Sequence, residues 1–180
     1  MNRIFSCLWL IAALVVFAPL RFAKGETAAT RETIVSADIE SGAAKFDGQM
    51  REASDEDEKS PKEKLFRQYG TRTFTAFKKH PELVSALRKL NSEFDPHTMT
   101  SSSLSSIVTI QGRTLLILVG CFPHNCGGTQ QVVALEPATQ RVYLLQPTNL
   151  GPDTEPSGKF YLYGRPDGVV RAAMSKAYPL

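Results

Sequence analysis

Enzyme signatures are what this chain most plainly lacks. It has no Gly-x-Ser-x-Gly nucleophile elbow, no phosphate-cradling Gly-rich loop and no His-Glu-x-x-His metal motif. Its acids fall in a charge run and in loops, with no pair set for glycosidase chemistry. The sequence gives no positive case for catalysis. Cysteine and histidine are scarce, three of each in 180 residues. Cys121, His124 and Cys126 would make only three metal ligands, and a bond between the cysteines removes two, so no metal is expected. No cofactor motif occurs either. His80 and His97 sit in other segments without ligand spacing and are expected at the surface. After residue 20 no apolar run is long enough to cross a bilayer.

What is present starts at the N-terminus. Arg3 gives a short positive start, residues 8–20 are almost wholly apolar, and Ala23-Lys24-Gly25 offers small residues where a signal peptidase cuts. That three-part layout predicts a secretory signal over residues 1–25 and a periplasmic mature protein. The signal holds Arg3, Arg21 and Lys24 and no acid. Removing these three from the 21 basic residues leaves 18, against 18 acidic ones. The formal charge of +3 then becomes zero. A neutral chain has no general electrostatic reason to bind nucleic acid or, once the signal is cut, an anionic membrane. Cys7 leaves with the signal. The remaining pair, Cys121 and Cys126, should close as a disulfide in an oxidising compartment. A redox-active pair would usually have two residues between its cysteines, beside a βαβ pattern. This pair has four.

Residues 26–63 are poor in large apolar side chains and contain the run Arg51-Glu52-Ala53-Ser54-Asp55-Glu56-Asp57-Glu58-Lys59. The composition predicts a disordered charged arm. The folded domain is expected over 64–180. Leu65, Phe66 and Tyr69 suit a short helix ending at Gly70. Pro81 and Glu82 open a second helix, along which Leu83, Val84, Leu87 and Leu90 share one face. Strand patterns follow at 107–110, 114–119, 131–135, 141–145 and 159–163, separated by turn residues. Residues 147–158 read as a loop. Pro166 and Asp167 then start a last helix, lined by Val169, Val170, Ala173 and Met174. The expectation is an α+β fold: an antiparallel sheet of about five strands, with flanking helices on one face.

The most informative segment is Gly120-Cys121-Phe122-Pro123-His124-Asn125-Cys126-Gly127-Gly128, between two strong strand patterns. It should form a protruding, disulfide-closed hairpin loop. Closing so small a ring stabilises the fold by roughly 2 kcal/mol at most, so its better explanation is rigidity for docking. Pro123 stiffens the loop, and Gly127 and Gly128 act as hinges where the chain re-enters the sheet. His124, between the cysteines, is the candidate contact residue, with Phe122, Pro123 and Asn125 beside it.

The hexapeptide Cys121-Phe122-Pro123-His124-Asn125-Cys126 resembles the signature loop of the Ivy family, inhibitors of vertebrate lysozyme. That loop commonly reads Cys-Lys-Pro-His-Asp-Cys. The order of His80-Pro81-Glu82-Leu83, the strands and Tyr163-Gly164-Arg165-Pro166-Asp167 is also similar, over about residues 70–180. The resemblance implies a lysozyme, c-type above all, as partner. It implies a role for His124 between the two catalytic carboxylates, with Cys121 and Cys126 fixing the loop. Phe122 in place of Lys and Asn125 in place of Asp depart from the pattern and weaken electrostatic steering. The same layout also fits a secreted binding module for another cell-envelope protein that inhibits nothing. A homo-oligomer is compatible with either.

Overall fold

Residues 115–119 and 132–135 are apolar at every position, so neither face of those segments can meet water. In the computed structural model, which describes residues 30–178, both lie at the centre of one sheet. The signal segment falls outside the described residues.

The chain begins with β1 (Arg31–Val35), α1 (Ser36–Ala44), β2 (Gly48–Glu52) and α2 (Asp55–Lys59). Three helices follow: α3 (Lys64–Tyr69), α4 (Thr73–Lys79) and α5 (Pro81–Leu90). A 3-10 turn (Pro96–Met99) leads to β3 (Ser101–Ser102), β4 (Ser106–Ile110), β5 (Arg113–Cys121), β6 (Gln131–Glu136) and β7 (Arg141–Pro147). Strand β8 (Lys159–Tyr163) and helix α6 (Gly168–Ala177) complete the fold. The architecture is α+β. Seven strands run in the order β1-β8-β7-β6-β5-β4-β2, and β3 pairs beside the end of β5. All these pairings are antiparallel.

Three expectations are corrected. The sheet has eight strands rather than about five. Its helices cover both faces rather than one. Leu115, Ile117, Val132 and Leu145 pack under α6 and Ile39 of α1, while Leu116, Leu118, Val133 and Leu144 pack under α3, α4 and α5. Alternation along each central strand sends one apolar set to each layer. Third, the segment expected as a disordered arm is folded from Arg31 onward. It straps the sheet: β1 extends one edge along β8, α1 crosses over α6, and β2 extends the other edge along β4.

Composition misleads here because the strap is held largely through backbone. Its edge strands keep most side chains in water, and the anchors are few: Ile34, Ile39 and Ala53. Gly42 lets α1 lie close on α6, since a Cβ there would stand 2.4 Å from Ser175 Oγ. Asp57 is the buried charge of the run. It accepts from Arg51 at 2.8 and 3.0 Å and from the Ser54 N–H and hydroxyl at 3.1 and 3.0 Å. The Arg51 hydrogen bonds, set against burial and aided by Ser54, hold its carboxyl down at about 2.

The remaining helices start and stop for local reasons. Gly70, at φ 98°, ends α3 in a conformation that disfavours other residues. Pro81 opens α5. Asp167 caps α6 by accepting from the N–H groups of Val169 and Val170 at 3.1 and 3.0 Å. Among the described residues, no helix is long and apolar enough to cross a membrane.

Candidate functional site: a braced hairpin tip

β5 and β6 stay paired up to Gly120 and Gln131, and the residues between them form the tip. Its base is fixed from one side. Ser101 and Ser102 pair with Cys121 and Gly120. The backbone of Met99 comes so close to Gly120 that a Cβ there would stand 2.6 Å from its carbonyl oxygen. Gln131 donates from its side-chain amide to the Thr98 carbonyl and hydroxyl at 3.2 and 2.8 Å. Thr73 of α4 donates to the Val119 carbonyl at 2.7 Å. A long hairpin end that could sway is thus tied to the helical layer.

The tip itself is closed by the Cys121–Cys126 disulfide. Inside the ring the Asn125 N–H donates to the Phe122 carbonyl at 3.0 Å, making a tight turn with Pro123 and His124 at its centre. Pro123 suits the first central position of such a turn, and the second takes positive φ. His124 occupies that second position at φ 67°. A residue other than glycine in the left-handed region costs of order 1–3 kcal/mol, although histidine is among those that enter it more readily. The histidine is also exposed, so no core packing accounts for it. Thr129, fully buried, closes the ring's neck: its hydroxyl donates to the Asn125 carbonyl at 2.6 Å and accepts from the Phe122 N–H at 3.0 Å.

Asn125 has a use that the sequence does not disclose. Its amide donates to the carbonyls of Gly151 and Thr154 at 3.2 and 3.0 Å, in the loop between β7 and β8. Gly128 meets the same loop, where a Cβ would stand 2.9 Å from the Thr154 carbonyl oxygen. A Pro/Gly-rich loop flags irregular structure, yet nothing in the pattern says which other loop it touches. Phe122 and Pro123 are half-buried, and Cys126 and Gly127 are exposed.

The other histidines divide. His97 is exposed, but His80, expected at the surface, is largely covered. Its ring lies on Tyr69, and its nitrogens meet the Gln68 carbonyl at 2.9 Å and Glu82 at 2.7 Å. It joins α3 to α5. The charged cluster of Arg113 with Glu136 and Asp167 lies at the end of the β5–β6 hairpin away from the tip. Among the described residues no group of three His, Cys, Asp or Glu side chains could hold a metal ion.

A helix-covered antiparallel sheet that holds out a covalently closed, exposed hairpin tip defines a loop-presenting protein. The family model described as Inhibitor of vertebrate lysozyme (Ivy) matches residues 82–179, more than half of the chain, and the chain belongs to that family. The tip and the loop beside it lie within the match, and the strap lies before it. Comparison with curated proteins and with solved structures finds no match.

Proposed function

We propose that this protein is a periplasmic inhibitor of lysozyme, c-type above all, and that it plugs the enzyme's active-site cleft with the Cys121–Cys126 loop. The observation that carries the reading is His124, exposed at the summit of a braced ring and held at φ 67°. The left-handed dihedral is what the turn requires, and exposed Gln111 and Arg165 share it; what sets His124 apart is that its exposed side chain stands on a covalently closed, braced ring. Family membership supports the choice of partner.

The mechanism follows from what lysozyme needs. One of its two carboxyl groups must donate a proton while the other stays ionised. An imidazole between them takes the substrate's place and hydrogen-bonds to both. It changes the charge that each carboxyl feels. Rigidity at the tip limits the entropy lost on docking. The inhibitor performs no chemistry, and its own residues hold a blocking group in position. Phe122 and Pro123 flank the histidine and can cover its apolar sides.

The direct test mixes the mature protein with a c-type lysozyme and follows peptidoglycan lysis. Inhibition is expected. His124→Ala removes the blocking group, and a hydrogen bond to a charged group contributes roughly 1.5–3 kcal/mol, so the inhibition constant should rise about ten- to a hundredfold. A folded His124→Ala protein that inhibits as well as the parent would overturn the plug mechanism. Tight binding without loss of lysis would make the protein a binding module instead.

A further inference from the structure

We propose that residues 151–156, in the loop between β7 and β8, form a second arm of the inhibitory surface, and that Asn125 is the positioning residue holding that arm in register with His124. The inference rests on the lysozyme-inhibitor reading above.

The two loops touch through Asn125 and Gly128, which converge on the Thr154 carbonyl. The Asn125 amide nitrogen reaches the Gly151 and Thr154 carbonyls at 3.2 and 3.0 Å. The bare Cα of Gly128 lies against the Thr154 carbonyl. Asn125 uses both halves: its backbone carbonyl takes the Thr129 hydroxyl at 2.6 Å within the tip, while its side chain holds the neighbouring loop. An aspartate at this position would bring a carboxylate against two carbonyl oxygens and could not make the clamp. Within the arm, the Thr154 hydroxyl donates to the Gly151 carbonyl at 3.0 Å and tightens the turn.

Between the loops lies a groove of about 520 Å³, with His124 and Gly127 on one wall and Pro152, Asp153, Glu155 and Pro156 on the other. Those last four residues are all exposed. Two prolines restrict the arm before any partner arrives, which reduces the ordering cost of binding. Stable protein interfaces use about 800 Å² and roughly 20–30 residues per partner, more than a six-residue ring can offer. The arm stands beside the plug, where the rim of an enzyme's cleft would fall once His124 is inside. Its carboxylates suit basic side chains on that rim.

The test compares the mature wild type, Asn125→Asp and the double variant Asp153→Ala with Glu155→Ala. Inhibition constants are read against one sensitive lysozyme, and amide exchange is read in the free proteins. With Asn125→Asp, read at high salt so that the added charge no longer steers the partner, inhibition should weaken about tenfold and the Thr129 amide should exchange faster than in wild type. That exchange gap should narrow below about pH 4, where a free aspartate protonates and can donate again; a change of shape alone would leave it constant. The double variant should lose about three- to tenfold in inhibition, more at low salt, with tip exchange unchanged. If Asn125→Asp inhibits like wild type, the positioning role is overturned; if the double variant does, the second arm is. A wild type that inhibits no lysozyme defeats the parent reading, and the inference with it.

Discussion

The strap at residues 31–59 and the tip at 121–128 are both poor in buried apolar side chains, yet each is ordered, by opposite means. The tip's ring is shaped locally, by a disulfide, a tight turn and hydroxyl bonds between residues a few positions apart, and distant contacts only brace it. The strap is ordered from a distance. Its strands take their partners from β8 and β4, and its helix lies on α6. Local order leaves a local signature in the sequence, whereas borrowed order leaves almost none. Low hydrophobicity therefore predicts disorder only for a segment with no sheet edge to join.

Deleting residues 31–59 should give the largest effect. Burial of Ile34 and Ile39 contributes about 1.5–3 kcal/mol each, and both sheet edges would be bared. A loss of about 3–5 kcal/mol in denaturant unfolding is expected, with self-association in size-exclusion chromatography. A truncated protein as stable and monodisperse as the parent would erase the contrast, making the strap an ornament.

Opening the tip should matter less to the fold and more to binding. Cys121→Ser with Cys126→Ser should cost about 2 kcal/mol at most, from the small ring, and should weaken inhibition through lost rigidity. Unfolding curves and inhibition constants on the same samples check both halves. Unchanged inhibition would show that the hydrogen bonds of Thr129 and Asn125 suffice without the bond between the sulfurs.

A further effect is electrostatic, confined to acid pH, and belongs to the strap. Asp57 titrates at about 2 in the fold and near 3.8 when free. A depressed carboxyl stabilises the fold fully above the free value, and that contribution fades as pH falls from about 3.8 through 2. Wild-type melting temperature should drop across this window. The Asp57→Asn protein should start lower at neutral pH and lack that part of the acid slope. Parallel melting curves for the two proteins down to pH 2 would mean that the Arg51 contact adds nothing.

The sequence made the central meander legible, because β4 to β8 are rich in β-branched, aromatic and other apolar residues between turn residues, and α5 and α6 carry their own start signals. It also disclosed the ring and its histidine. It missed the second helical layer's consequence, although residues 115–119 carry it: strands apolar on both sides need cover on both sides. It missed β1 and β2, whose alternation is too weak to show. Within the site, the Asn125 clamp was hidden because it depends on where a distant loop comes to rest, and spacing along the chain holds no record of that. The turn at His124 is local, but its positive φ falls on a residue other than the glycine that would ordinarily mark it.

Strand β1 also bears on the timing of folding. Arg31 pairs with Tyr163, so the first strand of the fold is matched to the last. Contacts so far apart along a chain close slowly and only after the intervening segments are in hand. Synthesis delivers the strap first and its partner nearly last, so the leading strand has no edge to join until β8 is made. The pairing that completes the sheet is thus also a delay, postponing the locked state until almost the whole chain exists.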